Sequence, residues 1–103
     1  MSRVILTVDA ARRLDIQTEA VRTAEIEGVP RTLVPYAAVI YDVKGEAWVY
    51  TNPAPLTFAR ANIDVATIDG DTAVLMGGPP AGTTVVIVGV AELYGAEFEF
   101  QEG

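Results

Sequence analysis

Thr83-Thr84-Val85-Val86-Ile87-Val88-Gly89-Val90 is a nearly continuous apolar run with a glycine close to its end. Strands that are buried on both faces give such runs, whereas in half-buried strands apolar and polar residues alternate. The run therefore predicts a strand at the centre of the fold. From Val34 onward, other apolar runs recur every eight to twelve residues or so, the spacing of a β-sandwich or barrel. The sequence predicts a mostly β fold, a small antiparallel β-barrel-like domain with one or two short helices.

The strongest hairpin signal joins the run Val34–Tyr41 to the run Ala47–Thr51. The segment between them, Asp42–Glu46, contains Gly45, which takes a positive φ at no steric cost. Pro35 cannot donate a backbone hydrogen bond to a neighbouring strand, so we place it at the start of the first strand. These residues predict two adjacent antiparallel strands.

The middle of the chain contains a change of side-chain parity. Leu56–Arg60 carries its apolar residues at even positions, whereas Ala61–Val65 carries them at odd positions. Because strand side chains alternate with a period of two, we expect a bulge or bend near residues 60–62. The following Asp69-Gly70-Asp71 predicts a tight turn into a strand, Thr72–Met76.

The two ends of the chain predict short helices beside strands. Near the start, Asp9 has the short acceptor side chain of an N-cap for a helix over Ala10–Leu14. Near the end, Ala91–Gly95 predicts one helical turn that stops at its glycine. In Ala96–Phe100, phenylalanines alternate with glutamates, which predicts a closing strand with Glu97 and Glu99 directed to water and without a catalytic role.

The composition excludes several classes of function. The chain has 103 residues, which suits one domain, and it has no cysteine and no histidine. These absences remove the usual proton shuttle and the usual soft-metal and zinc ligands, so we predict no catalytic residues, no metal site, no cofactor and no enzyme activity. The net charge of −7 disfavours binding to nucleic acid, whose backbone is anionic. No run is long enough for insertion into a membrane.

Several segments together resemble the periplasmic adaptor subunits of RND-type efflux pumps, also called membrane fusion proteins or HlyD-like proteins. The similarity is to their membrane-proximal domain, especially in the heavy-metal-efflux branch. In chain order, the segments that carry it are Ile5–Thr18, Val34–Tyr41, Gly45–Tyr50, Leu56–Arg60, Pro80–Val86 and Gly89–Gly95. The resemblance implies that residues 3–22 form an N-terminal strand and helix segment. It also implies that residues 23–32 form a connector in place of the family's long insert, and that residues 33–100 form the main β domain.

The resemblance also implies a partner. In the family this domain docks against the inner-membrane transporter, so we expect a non-catalytic protein-docking domain that binds an RND-type transporter or its adaptor. The alternative is a free-standing cytoplasmic β-domain that acts as a homo-oligomeric structural or small-ligand-binding module. The first segment lacks an export signal. The location is therefore periplasmic if the sequence is part of an adaptor, and cytoplasmic if Met1 is the natural start.

Aromatic side chains are the candidate interface. Tyr36, Tyr41, Trp48 and Tyr50 cluster around the predicted hairpin, and aromatics with one polar end are enriched at interfaces. Cross-strand pairing within the hairpin remains the competing interpretation. For Met76, a single methionine without cysteine or histidine makes no soft-metal site, and we expect it to fill the core.

Overall fold

The chain folds into one curled antiparallel sheet, and a helix lies close to each end of the chain. The computed structural model describes the backbone of residues 3–102 and the side chains of residues 3–97. The strands are β1 (Arg3–Ile5), β2 (Gln17–Ala20), β3 (Arg22–Ile26), β4 (Val29–Pro35), β5 (Ile40–Tyr41), β6 (Ala47–Ala54), β7 (Thr57–Asp69), β8 (Thr72–Gly77) and β9 (Thr84–Val88). The helices are α1 (Val8–Arg13) and α2 (Val90–Glu102), and Tyr36–Ala38 forms a 3₁₀ turn. The predicted mostly β class is confirmed.

The sheet joins both parts of the sequence that flank the β3–β4 hairpin. Its strand order is β2-β9-β6-β7-β8-β4-β3, with β1 added on β7 and β5 on β6. Val4 of β1 is paired with Phe58 of β7, and Thr18 of β2 is paired with Val86 of β9. The N-terminal segment thus closes onto the later strands in a single sheet.

Two hydrophobic cores lie on opposite faces of the central strands. The sheet core contains Val21, Val34, Ala38, Val49, Ile63, Ala73, Leu75 and Val85. The helix core, which packs under α1 and α2, contains Val4, Leu6, Tyr50, Phe58, Val86, Val90 and Leu93. Because successive side chains of a strand point to opposite faces, β9 places Val85 in one core and Val86 in the other. The prediction that this strand is buried on both faces is therefore confirmed. Its predicted place at the centre of the fold is wrong, because β9 is second in the strand order, between β2 and β6.

The parity change in β7 also results from the two cores. Phe58 belongs to the helix core and Ile63 to the sheet core, so the two residues point to opposite faces of one continuous strand. The register shifts against β8 lie farther along, between Asp64 and Thr67, where β7 changes its partner from β6 to β8. The shift against β6 lies earlier, between Thr51 and Ala54 of β6. The bulge expected at residues 60–62 is therefore displaced, because burial on both faces removes the need for it there.

The predicted hairpin is only partly correct. The 3₁₀ turn interrupts the apolar run after Pro35, which ends β4 instead of starting the strand. β4 pairs with β3 and β8, and only Ile40 and Tyr41 pair with β6. The connecting turn is as predicted, with Gly45 at a φ of 82°.

Both helices differ from their predictions. α1 begins at Val8, and its N-cap is Thr7, whose Oγ1 accepts a hydrogen bond from the Ala10 backbone N–H at 3.0 Å. Asp9 lies in the first helical turn instead of capping it. α2 continues through Gly95 to residue 102, so the predicted closing strand Ala96–Phe100 is wrong. The side chains of residues 98–100 lie outside the described part.

Residues 23–32, interpreted as a connector, form most of the β3–β4 hairpin. The two turn residues, Glu27 and Gly28, both have positive φ, at 52° and 80°. Two successive positive φ values define the type I′ turn, whose twist matches that of paired strands. The polar passage is thus an ordered hairpin that extends the sheet to its β3 edge.

Candidate functional site

The four predicted interface aromatics fall into two environments. Tyr36 is 45% exposed and Tyr41 is 48% exposed. Trp48 is half-buried, and Tyr50 is completely buried in the helix core. The prediction of an aromatic interface therefore concerns Tyr36 and Tyr41, whereas Tyr50 has no surface to offer.

A buried polar cluster lies between the sheet and α2. Glu97 Oε1 accepts hydrogen bonds from the Tyr50 hydroxyl at 2.7 Å and from Arg60 Nε at 2.9 Å. The Arg60 guanidinium lies over the Trp48 ring, 4.4 Å from its centroid, and 5.8 Å from the Tyr94 ring centroid. We call these five residues the Arg60–Glu97 cluster.

The local fold explains why these residues meet. Tyr50 and Arg60 are directly paired across β6 and β7, so their side chains point to the same face of the sheet. α2 delivers Glu97 to that face, and the helix starts from Gly89, which has a φ of 90°. At Gly89 an added Cβ would collide with Ile16 Cδ1 and lie 3.3 Å from the Leu14 carbonyl oxygen. A glycine at this position therefore sets the direction in which α2 crosses the sheet.

The environment of the cluster favours the protonated Tyr50 hydroxyl. Burial raises the pKa of Tyr50 above its ordinary value, and the hydrogen bond to the Glu97 carboxylate raises it further. Glu97 is only 2% exposed, and its Oε2 has no hydrogen-bond partner among the described residues. The expectation that Glu97 points to water is wrong, because it assumed a strand where α2 forms. Tyr50 and Glu97 are closed to solvent, and the cluster ties α2 to the sheet.

Trp48 extends the polar contacts to the surface turn. Its indole Nε1–H donates to Asp42 Oδ2 at 3.0 Å, and Asp42 Oδ1 accepts from the backbone N–H groups of Lys44 and Glu46. Partial desolvation acts to raise the pKa of Asp42, but these hydrogen bonds outweigh it and hold that pKa below its ordinary value. The turn that follows Tyr41 is thus held in place by the hydrogen bonds of Asp42.

The remaining candidate sites give no binding chemistry. Met76 is 59% exposed and belongs to neither core, so the prediction that it fills the core is wrong. Val74, on the same face of β8, is 5% exposed, so the cover on this face ends before Met76. Asp69-Gly70-Asp71 forms the predicted turn between β7 and β8. Within residues 3–97, no group of three or more acidic side chains is placed to hold a metal ion. Across the described helices, none combines the length and the apolar character that crossing a membrane requires.

Comparison with known proteins shows a likeness in fold. No protein-family model matches the chain, and no curated protein matches it. A solved solution structure of SilB from Cupriavidus metallidurans CH34 does match, with a TM-score of 0.63 and 22% sequence identity over 77% of this chain. That structure contains the N-terminal metal-binding site and the membrane-proximal domain of SilB in 180 residues, and the match spans 43% of it. The chain has the fold of this membrane-proximal domain, as its resemblance to the efflux adaptors predicts.

Proposed function

We propose that the chain is a non-catalytic docking domain that binds an RND-type inner-membrane transporter or its adaptor. The observation that carries the proposal is the fold likeness to the SilB membrane-proximal domain over 77% of the chain. The ordered sequence segments that resemble efflux adaptors support it independently. We also propose that the β3–β4 hairpin occupies the place where the family carries its long insert. The hairpin lies between Ile5–Thr18 and Val34–Tyr41, two of the sequence segments that resemble the family.

The distribution of polar and apolar side chains supports docking. The strongest polar contacts, between Glu97, Arg60 and Tyr50, are buried and turned away from solvent. By contrast, Tyr36 and Tyr41 are about half exposed, and Val43 at the tip of the β5–β6 turn is 99% exposed. Exposed aromatic and apolar groups on a rigid scaffold are typical of protein interfaces.

Co-purification tests the proposal. The tagged chain would be mixed with an RND-type heavy-metal transporter in lipid nanodiscs, with and without the transporter's own adaptor, and bound protein would be quantified. We expect saturable retention with at least one of the two. Tyr36→Ser/Tyr41→Ser should weaken it, whereas Val8→Ser, which alters an equally exposed apolar residue on α1, should not. Retention no higher than on empty nanodiscs would contradict the proposal.

A further inference from the structure

The β3–β4 hairpin has one face that carries cations and no carboxylates. Paired residues in adjacent strands share a face, which places Arg22 with Leu33, Ala24 with Arg31, and Ile26 with Val29. We call the surface formed by these six residues the arginine face. The acidic residue of β3, Glu25, pairs with Pro30 and so lies on the opposite face. The chain has 14 acidic and 7 basic residues. A surface of six neighbouring residues with two arginines and no acidic residue is therefore unusual for this protein.

No described helix covers this face, although Val74 of β8, which is paired with Leu33, is buried beside it. The neighbouring strand β4 sends Val34 into the sheet core, so the arginine face is the other side of the sheet. Both described helices pack on the helix core, which contains no residue of β3, β4 or β8. Ile26 and Val29 are 39% and 43% exposed, and Met76 of the adjoining β8 is 59% exposed. Apolar side chains therefore remain in solvent beside the arginines.

The two arginines form no ion pair with a carboxylate of the described residues. Among the described residues, the ion pair within 4.0 Å is that of Arg60 with Glu97, and neither Arg22 nor Arg31 forms one. The two arginines are diagonal neighbours across β3 and β4, so their Cβ atoms lie within about 8 Å and their two like charges share one small area of surface. A partner with carboxylates would relieve this repulsion and use arginine's forked donors.

We propose that the arginine face is a docking surface for a protein segment that carries carboxylates beside apolar side chains. The inference rests on the proposed docking function, because it adds a second contact surface to Tyr36 and Tyr41 and states the chemistry of the partner there. Charge complementarity selects an acidic partner, and the exposed Ile26, Val29 and Met76 select one with apolar groups as well. β3 ends the sheet, so its free backbone groups can also pair with an extended segment.

A peptide titration tests the face independently of any transporter. The probe is a blocked twelve-residue peptide, three repeats of Glu-Glu-Val-Val, which presents alternating carboxylates and valines on each side when extended. Its counterpart replaces every Glu by Lys. Two-dimensional amide spectra of the ¹⁵N-labelled chain should show saturable shifts confined to residues 22–33 and 76. Arg22→Glu/Arg31→Glu should weaken binding at least about tenfold.

The matched control is Arg12→Glu/Arg13→Glu, which makes the same change of net charge on exposed residues of α1. It should keep the shifts on the arginine face. No shifts, shifts elsewhere, equal binding of the lysine peptide, or equal loss in both variants would overturn the proposal. So would sedimentation showing a dimer that the Arg22→Glu/Arg31→Glu variant abolishes, or preferential binding of that face to anionic vesicles.

The transporter experiment separates this proposal from the proposed function. If the wild-type chain and Arg22→Glu/Arg31→Glu bind the nanodisc transporter equally, the arginine face is not its docking surface, although the docking function stands. If the wild-type chain does not bind, the docking function fails, and the peptide titration alone decides whether the face binds acidic segments.

Discussion

Arg60 of β7 and Glu97 of α2 form a charge-assisted hydrogen bond, with Nε 2.9 Å from Oε1, and the Tyr50 hydroxyl donates to the same oxygen. The Arg60 side chain is 12% exposed and the Glu97 side chain 1% exposed, so both charges are largely removed from water. Removing one partner of such a pair strands the other charge, which makes the contact sensitive to mutation. The pair therefore fixes where α2 lies on the sheet.

Glu97→Ala should destabilise the chain by about 3 kcal/mol, because it leaves the Arg60 guanidinium and the Tyr50 hydroxyl without their acceptor. Urea unfolding followed by circular dichroism measures this change. Glu92→Ala is the matched control, since Glu92 is exposed on the same helix, and it should change stability by less than about 0.5 kcal/mol. Equal stability of the two variants would show that the cluster does not hold α2.

Alkaline pH should destabilise the chain through Tyr50. The folded state raises the pKa of the Tyr50 hydroxyl above its ordinary value of 10.0, so the folded chain holds this proton more tightly than the unfolded chain. The stabilisation is complete below pH 10 and is lost as the pH rises above it. Unfolding free energies measured between pH 8 and 11, in steps of about half a unit, should fall more steeply for wild type than for Tyr50→Phe. If the unfolding free energies of wild type and Tyr50→Phe fell in parallel with pH, Tyr50 would not be the source of the alkaline destabilisation.

Gly89→Ala should be strongly destabilising. Its φ of 90° is unfavourable for alanine, and the added methyl would collide with Ile16. We expect a loss of about 2 kcal/mol or more in thermal unfolding. Gly95→Ala is the control, because a Cβ there meets open space in the interior of α2, and it should stabilise by about 0.5–1 kcal/mol. If Gly89→Ala left the thermal stability unchanged, the chain would not pass from β9 into α2 through the conformation described at Gly89.

Val85→Ala and Val86→Ala should destabilise the chain by similar amounts, about 2 kcal/mol each, because each removes methyl groups from a different packed core. In a sheet with one solvated face, one of two adjacent substitutions would be nearly neutral. Chemical denaturation of both variants distinguishes these cases. A change below about 0.5 kcal/mol for either residue would contradict the two-core arrangement.

The sequence predicts the features that depend on local chemistry. The apolar run at Val85 and Val86, the glycine turn at Gly45 and the turn at Gly70 are each encoded by a few adjacent residues. Their physical causes, burial on both faces and positive φ, are visible in the sequence itself. The same is true of the fold class.

The features that were missed depend on distant residues. Glu97 alternates with phenylalanine in the sequence, but its partners Arg60 and Tyr50 lie 37 and 47 positions away. Gly95 suggests the end of a helix by its propensity, yet packing of Leu93 in the helix core and the buried Glu97 contact keep α2 continuous. Hydrophobicity alone favours Met76 in the core, but the sequence does not tell how far along β8 the cover extends, and it includes Val74 and not Met76.

Competition at a transporter tests whether this fold serves as a docking domain. An RND-type heavy-metal transporter in nanodiscs would be loaded with the labelled membrane-proximal domain of its own adaptor, and the unlabelled chain would be added in increasing amounts. We expect saturable displacement of the labelled domain, or saturable binding of the chain beside it. If the chain neither displaces the domain nor binds the loaded transporter, it is not a docking domain for this class of transporter.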